Sequence, residues 1–296
     1  MRVVVAGSHG LIGAALVAHL REDGHEVVRL VRRAPSRADE VAWDPDAGIL
    51  DAAALAGAGA VVNVTGVNAG SRPLTSARKR AVVSSRLRTT GLLAATLAAR
   101  PDTPRVLLQA SAIGAYGDRG DDVLTESEPL GHTFFADLVR RWEAATAPAE
   151  DAGVRVVHLR SGVVLAPRGG ALGRMLPLIR LGLGGPMGSG RQFWSWITVH
   201  DEVRAITHLL TADAHGPVNL VAQPARNAEV VAALAARYHR PARLRVPAFA
   251  LRALLGDFSS EILGSVRAMP AALTASGFVH DHPTIEQAAA WVSAPR

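Results

Sequence analysis

An α/β fold is predicted for this chain, with a doubly wound parallel sheet and a smaller C-terminal lobe. Short runs rich in β-branched residues alternate with helical stretches through roughly the first 165 residues. Apolar strands separated by helices are typical of parallel sheets that are buried on both faces. In addition, a turn with three glycines joins the first strand to the first helix, a feature of dinucleotide-binding folds of this class.

The regular elements follow from these runs in chain order. The first strand, Arg2–Ala6, leads into a helix at Leu11–Glu22 that ends before Gly24. Further strands are expected at residues 25–31, 60–64, 105–110 and 154–159, with helices at 75–99 and 134–149 between them. The crossovers between parallel neighbours should be right-handed.

The pattern changes after residue 159, where glycine and proline become frequent. We expect helices at residues 172–181, 202–212 and 227–238, a strand at 217–220 and short helical segments from 246 onwards. Residues 1–165 are accordingly predicted to form a Rossmann-type domain, to which residues 198–222 return. Residues 166–197 and 223–296 are predicted to form the smaller lobe, packed over the carboxyl edge of the sheet.

Composition narrows the classes of protein that remain. The chain of 296 residues is 49% hydrophobic, enough for a large core, and its lack of cysteine excludes disulfides and thiolate chemistry. No apolar run reaches the roughly 18 residues of a membrane helix, and no signal peptide is evident. The net charge of +6 comes from scattered arginines and one lysine, Lys79, without a basic stripe. We therefore expect a cytoplasmic protein whose partner is a small-molecule substrate or ligand, and neither nucleic acid nor a membrane. The sequence does not predict the oligomeric state.

The glycine turn predicts a dinucleotide site after the first strand. It comprises Gly7, Ser8, His9, Gly10, Leu11, Ile12 and Gly13. The first glycine permits a tight turn, the second lets a pyrophosphate approach the backbone, and the third lets the helix pack closely on the strand. The helix N-terminus then offers free N–H groups to the phosphates. A purely structural turn is the alternative, but the strand before it and the helix after it favour cofactor binding.

Two arginines at the end of the second strand indicate which dinucleotide is preferred. A site selective for NAD(H) has a carboxylate here, which binds the ribose 2′-hydroxyl. This sequence has Arg32 and Arg33 instead, and Asp39 and Glu40 come only later. Since a guanidinium group suits a 2′-phosphate, we predict NADP(H) in preference to NAD(H). The alternative is a charged strand end in solvent.

Further motifs carry a resemblance to a known family. They are Asn63-Val64-Thr65-Gly66, Ser84-Ser85-Arg86, Ser111-Ala112-Ile113-Gly114-Ala115-Tyr116-Gly117, Trp142-Glu143, Arg160-Ser161-Gly162-Val163-Val164-Leu165, Gly188-Ser189-Gly190-Arg191-Gln192 and Ser195-Trp196-Ile197-Thr198-Val199-His200-Asp201. Over essentially its whole length the chain resembles the atypical "epimerase family" subgroup of the extended short-chain dehydrogenases/reductases, related to nucleoside-diphosphate-sugar epimerases. The segment from about residue 247 to 292 is similar to that subgroup's C-terminal domain of unknown function.

The resemblance implies a six- or seven-stranded sheet and a set of site residues. Asn63, Gly66, Ser111 and the loop after the strand that ends at residue 159 are implied to line the cofactor. The residues implied to lie near the cleft between sheet and lobe are Gln192, Trp194, Trp196 and His200. The two tryptophans alternate along a strand, so they form either a cleft wall for a substrate or part of the core.

Reductases and epimerases of this kind transfer protons with a Tyr-x-x-x-Lys pair, which this chain lacks. By the resemblance, Phe135 and Val139 stand at those two positions. Ser111 could polarise a substrate carbonyl or could cap a turn. The remaining candidate proton donors are Tyr116, His200, the substrate and water, and packing or structural roles are the alternatives for the two side chains.

No metal site is predicted. His280-Asp281-His282 contains two possible ligands, but no third one stands at a useful spacing, so a surface loop is the better interpretation. The sequence as a whole predicts an NADP(H)-binding oxidoreductase or epimerase-like protein that acts on a small carbonyl or sugar-nucleotide-like substrate. The missing tyrosine–lysine pair leaves a second hypothesis open, a non-catalytic NADP(H)-binding sensor or scaffold.

Overall fold

The computed structural model describes residues 1–99 and 102–294 of the chain. Residues 100–101 and 295–296 lie outside this description, and with them the last two positions of the predicted smaller lobe.

The strands of the described residues are short and mostly apolar. In chain order they are β1 (Arg2–Ala6), β2 (Glu26–Val31), β3 (Glu40–Asp44), β4 (Ile49–Leu50), β5 (Ala60–Asn63), β6 (Val106–Ala112), β7 (Val123–Leu124), β8 (Arg155–Ser161), β9 (Val163–Leu165), β10 (Phe193–Trp194), β11 (Trp196–Thr198), β12 (Gly216–Leu220), β13 (Ala225–Arg226) and β14 (Arg267–Ala268).

The helices of the same residues follow the alternation expected of an α/β chain. They are α1 (Leu11–Glu22), α2 (Ser76–Ala98), α3 (Phe134–Ala144), α4 (Ala147–Asp151), α5 (Leu172–Arg180), α6 (Val199–Leu209), α7 (Asn227–Ala236), α8 (Ala248–Leu255), α9 (Ser259–Leu263), α10 (Ala271–Ala275) and α11 (Ile285–Ser293).

One eight-stranded sheet forms the centre of the fold, in the order β12-β8-β6-β5-β1-β2-β3-β4. All neighbouring pairs are parallel except β3 and β4. Helices cover both of its faces. Val5 packs with Leu16 of α1 and Ile206 of α6 on one face, and Val4 packs with Leu97 of α2 on the other. This arrangement confirms the predicted Rossmann-type doubly wound α/β fold.

The sheet has eight strands where the resemblance implies six or seven, and several local features also differ from the sequence prediction. The edge strands β3 and β4 are not predicted, because their mixed polar and apolar residues lack a clear strand pattern. The helix expected at 134–149 is two helices, since Pro148 in the first turn of α4 has no N–H with which to continue α3. Strand β6 continues to Ala112, so Ser111 lies inside the strand and not after it.

A second hydrophobic core lies in the smaller lobe. Leu176 of α5, Leu234 of α7, Leu251 of α8 and Ile285 of α11 belong to it. Two parallel strand pairs, β9 with β11 and β7 with β14, join the lobe to segments that follow β8 and β6. These pairs hold the lobe at the carboxyl ends of the sheet strands. Within the described residues, no helix is both long and apolar enough to cross a membrane.

Candidate functional site

The candidate site lies where the strand order of the sheet reverses. From β1 the chain runs outward through β2 to β4, and it returns with β5 on the other side of β1. In open α/β sheets, ligands bind in the crevice outside the carboxyl ends of the strands at such a point. The glycine turn follows β1, and the loop with Gly66 follows β5, so both predicted segments border this crevice.

The three glycines of the turn have different surroundings. Gly7 has a φ of +91°, and a Cβ atom there would lie 2.8 Å from the backbone of Val64. A Cβ atom on Gly13 would lie 2.1 Å from the carbonyl oxygen of Gly7. A Cβ atom on Gly10 would meet only that same oxygen, at 3.4 Å. The fold therefore requires glycine at positions 7 and 13, whereas the space above position 10 is open to a ligand.

The N-terminus of α1 is available to an anion. No side chain caps it at Gly10, and its first turn contains no acidic residue. Leu11 and His9 are exposed, while Ser8 is buried with its hydroxyl 3.3 Å from His9 Nδ1. The positive end of the helix dipole and the first N–H groups of the helix therefore lack a side-chain acceptor.

The two arginines after β2 are not equivalent. Arg33 donates to Glu40 through both terminal nitrogens, at 2.8 and 2.7 Å, and this contact holds the pKa of Glu40 well below its ordinary value. Arg29 donates to Asp39 at 2.7 and 2.8 Å. Arg32 is exposed and has no ion pair or hydrogen bond from its side chain among the described residues. The nearby carboxylates are thus occupied, and of the two arginines Arg32 is the one left for a ligand.

Asn63 supports the loop after β5 from within the sheet. The side chain is fully buried, and its Nδ2 donates to Gln109 Oε1 at 2.9 Å. Its Oδ1 accepts the hydroxyl proton of Thr65 at 2.6 Å. Both ends of the Asn63 amide are thus used inside the protein, and the place of Asn63 in the cofactor lining stays a prediction.

Arg86 lies directly against Gly66. A Cβ atom on Gly66 would be 3.2 Å from Arg86 Cζ. The guanidinium donates to two backbone carbonyl oxygens at 3.1 Å and stacks over the ring of Trp142 at 4.8 Å, but its Nε has no partner. Burial, with the charge of Arg78, lowers the pKa of Arg86 to about 10, so the group remains a cation. In the sequence, Arg86 is only the last residue of a family motif, and it was not predicted to contact an anion.

Ser111 belongs to a buried ionic network at the carboxyl ends of β6 and β8. Arg160 donates to Glu143 from Nε and Nη2, each at 2.9 Å, and the Ser111 hydroxyl donates to Glu143 Oε1 at 2.6 Å. Burial alone would raise the pKa of Glu143, but the contact with Arg160 outweighs it and lowers this pKa. Ser111 is only 5% exposed. Its single proton is used within the network, so the structure does not support its role in polarising a substrate carbonyl.

Tyr116 closes the same network. Its hydroxyl donates to Asn219 Oδ1 at 2.8 Å and accepts from Arg160 at 3.0 Å, and the residue is fully buried. Burial raises the pKa of Tyr116, although the charge of Arg160 acts against that shift. Since the phenol is enclosed and its proton is engaged, the structure does not support Tyr116 as a proton donor.

His200 contacts the C-terminal segment. Its Nε2 lies 2.7 Å from Asp281 Oδ2, and Asp201 accepts the backbone N–H groups of Asp281 and His282 at 2.9 Å each. Possible metal-ligand atoms of His200, Asp201 and His282 lie within 4.8 Å of one another. The tertiary structure thus supplies the neighbours that the spacing of His280, Asp281 and His282 did not reveal. Because His200 contacts the Asp281 carboxylate and its ring packs edge-on against His282, with ring centroids 5.3 Å apart, these contacts support a structural role for His200.

The predicted substrate contacts lie inside the smaller lobe. Gln192 is 6% exposed and donates to the carbonyl oxygens of Met187 and Ile262, at 3.0 and 3.2 Å. Trp194 Nε1 donates to the same Ile262 oxygen at 3.0 Å, and Trp196 is fully buried. The two tryptophans also belong to different strands, β10 and β11. For the two tryptophans these contacts agree with the core alternative and not with a cleft wall, while a contact of Gln192 with a substrate stays a prediction.

The two positions of the absent tyrosine–lysine pair are apolar and buried. Phe135 is 9% exposed and Val139 is 2% exposed. The Phe135 ring packs edge-on against Phe134 and Phe258, with ring centroids 5.1 and 5.9 Å apart. Neither position carries a group that can transfer a proton.

Comparison with known proteins agrees with this geometry. The model of the NAD dependent epimerase/dehydratase family matches residues 3–222. The chain belongs to that family. A second model, a domain of unknown function (DUF1731), matches residues 246–292. The resemblance to the epimerase family subgroup, including its C-terminal domain, is confirmed.

Individual relatives are similar over nearly the whole length of this chain. Epimerase family protein Mb2239 of Mycobacterium bovis is 45% identical over 289 residues, which are 97% of this chain and 95% of that protein. A crystal structure of human epimerase family protein SDR39U1 with NADPH has a TM-score of 0.91 and 34% identity, and covers 99% of both chains. The crystal structure of the nucleoside-diphosphate sugar epimerase from Corynebacterium glutamicum has a TM-score of 0.80 and 35% identity. The match covers 98% of this chain and 57% of the Corynebacterium chain.

Proposed function

We propose that this protein binds NADP(H) in the crevice between β1 and β5 and acts as an oxidoreductase or epimerase on a small carbonyl or sugar-nucleotide-like substrate. The observation that carries the proposal is an open anion site. Helix α1 begins after the glycine turn without a side-chain cap, and no ion pair engages Arg32 or Arg86 among the described residues. Helix N-termini and arginines are the groups that bind phosphates.

Each part of the cofactor has a matching group on this chain. The N–H groups at the start of α1 suit the pyrophosphate, which would lie over the space left by Gly10. Arg32, at the end of β2, suits a 2′-phosphate, and Arg86 beside Gly66 suits a further oxyanion. The human relative was solved with NADPH, which supports the same cofactor here. When bound, NADP(H) supplies or takes up a hydride.

Calorimetric titration with NADPH and NADH at about 0.1 M salt tests the cofactor assignment. A charge-assisted contact to the 2′-phosphate contributes roughly 1.5–3 kcal/mol, so NADPH should bind roughly tenfold to a hundredfold more tightly. Equal affinities would refute the preference for NADPH. The absence of binding by both nucleotides would refute the whole proposal.

A non-catalytic NADP(H) sensor or scaffold is the second candidate. It is favoured by the apolar, buried side chains of Phe135 and Val139 at the two proton-transfer positions. NADPH oxidation in the presence of dicarbonyl probes distinguishes the two functions. A sensor binds NADPH, as an enzyme does, but NADPH stays unoxidised with every probe.

A further inference from the structure

We propose that Glu261, a residue of the C-terminal domain, is the proton donor and acceptor of the active site. It would replace the tyrosine of the Tyr-x-x-x-Lys pair, which this chain lacks. The inference rests on the proposed function, because it assigns a role within the same cleft. It gives the C-terminal domain a direct part in the chemistry that the Rossmann domain alone does not complete.

The Glu261 carboxyl group reaches the loop that follows β6. A Cβ atom on Gly114, in this loop, would lie 2.6 Å from Glu261 Oε2 and 3.5 Å from Glu261 Cδ. The same Cβ atom would lie 3.4 Å from Phe135 Cβ. Glycine at 114 thus leaves the room that the carboxyl occupies. The acid is thereby brought beside Phe135, the residue at the tyrosine position.

The segment that carries Glu261 is fastened to the Rossmann domain just before it. Asp257 forms an ion pair with Lys79 of α2. Phe258 packs edge-on against Phe135 at a ring-centroid distance of 5.9 Å. The same ring lies over Gly70, where a Cβ atom would be only 2.7 Å away. These contacts hold α9 over α2 and α3 and position its carboxyl group.

The carboxyl group of Glu261 is free to exchange a proton. It is half-buried, and it has no hydrogen bond or ion pair within the part of the chain that the structure describes. Two nearby carboxylates are engaged elsewhere: Asp257, four residues earlier in the chain, pairs with Lys79, and Asp118, which lies beside Gly264, accepts the backbone N–H of Ser265 at 3.1 Å. Structural carboxylates of the interior are normally paired, so this lone acid calls for another explanation.

The environment also suits acid–base chemistry near neutral pH. Burial raises the pKa of Glu261 to about 7. Both its protonated and its ionised form are therefore populated under physiological conditions, which is the property that general acid–base catalysis requires. The loop that contains Gly114 continues into the lining of a cavity of about 480 Å³, which is formed by residues 116–119 and 129–133.

In the proposed step, the carbonyl carbon of the substrate gains a hydride with its two electrons, and the π electrons of the C=O bond move to oxygen. That oxygen takes the proton that leaves the Glu261 carboxyl group. The products are an alcohol, NADP⁺ and the Glu261 carboxylate, which water reprotonates. In the reverse direction, the carboxylate accepts the hydroxyl proton of the alcohol.

Turnover of Glu261→Gln tests this role, with Glu286→Gln as a matched control on an exposed site of the same domain. NADPH oxidation is followed with 2,3-butanedione and 9,10-phenanthrenequinone as probes, from about pH 5 to pH 9. We expect Glu261→Gln to lower turnover by about a hundredfold or more, with NADPH affinity within about twofold of wild type. Wild-type turnover should fall as pH rises through about 7, since the acid loses its proton. Equal turnover in Glu261→Gln and wild type would overturn the proposal.

The pKa of Glu261 in the free protein gives a second readout that needs no cofactor. The Cδ resonance of ¹³C-labelled glutamate that disappears in Glu261→Gln should titrate near 7. Titration in the ordinary glutamate range, near 4.3, would overturn the acid–base role. Failure of wild-type protein to bind NADPH would instead overturn the proposed function, and the NMR titration would still decide the state of Glu261.

Discussion

Glu202 links the pH dependence of stability to one buried side chain. It lies in α6 and is 1% exposed; the Ser161 hydroxyl donates to its Oε1 at 2.5 Å, and its Oε2 has no partner. Burial raises the pKa of Glu202 from 4.5 to about 8. The folded protein therefore keeps a proton that the unfolded chain loses across this interval. The contribution of protonated Glu202 to the free energy of unfolding is fully present below pH 4.5 and is lost as pH rises towards 8. At about 1.4 kcal/mol per pH unit, the loss is on the order of 5 kcal/mol.

Glu202→Gln keeps the shape of the side chain and removes its ionisation. Urea unfolding of wild type, Glu202→Gln and the exposed control Glu22→Gln, at about pH 5, 7 and 9, measures the effect. We expect Glu202→Gln to lie within about 1 kcal/mol of wild type at pH 5 and to be more stable by several kcal/mol at pH 9. Glu22→Gln should follow wild type at each pH. A difference between Glu202→Gln and wild type that does not change with pH would refute the argument.

Further predictions concern the cofactor crevice. Gly10→Val should abolish NADPH binding without changing the melting temperature, whereas Gly13→Ala should destabilise the fold by about 1–3 kcal/mol, because its Cβ would lie 2.1 Å from a backbone oxygen. Calorimetry and thermal unfolding of both variants separate the two effects, and similar behaviour of the pair would contradict the geometry. Arg32→Ala should remove the preference for NADPH over NADH, and Arg33→Ala should largely retain it, since Arg33 already binds a carboxylate. The opposite outcome would move the 2′-phosphate to Arg33. Arg86→Met should weaken NADPH binding about tenfold or more, and unchanged affinity in this variant would exclude the arginine from the site.

Features that depend on neighbours along the chain could be predicted from the sequence. Strand β1 and helix α1 have the predicted bounds, because β-branched runs, helical periodicity and the glycine turn are all local signals. The parallel sheet follows from the same alternation. The arginines after β2 and the family motifs likewise needed no long-range information.

Which side chains remain free to act could not be predicted in this way, because it depends on the folded protein. Arg32 and Arg33 are adjacent and identical in chemistry, and the fold of β3 alone brings Glu40 to one of them. From the sequence, Ser111 and Tyr116 are candidates for contact with a substrate. In the folded protein, Arg160 of β8 makes both of them members of a buried network. The same fold brings an unpaired carboxyl group from α9 against Gly114. These outcomes depend on contacts between residues far apart in the chain, and whether a polar group is paired or free in the interior is a property of its neighbours in space.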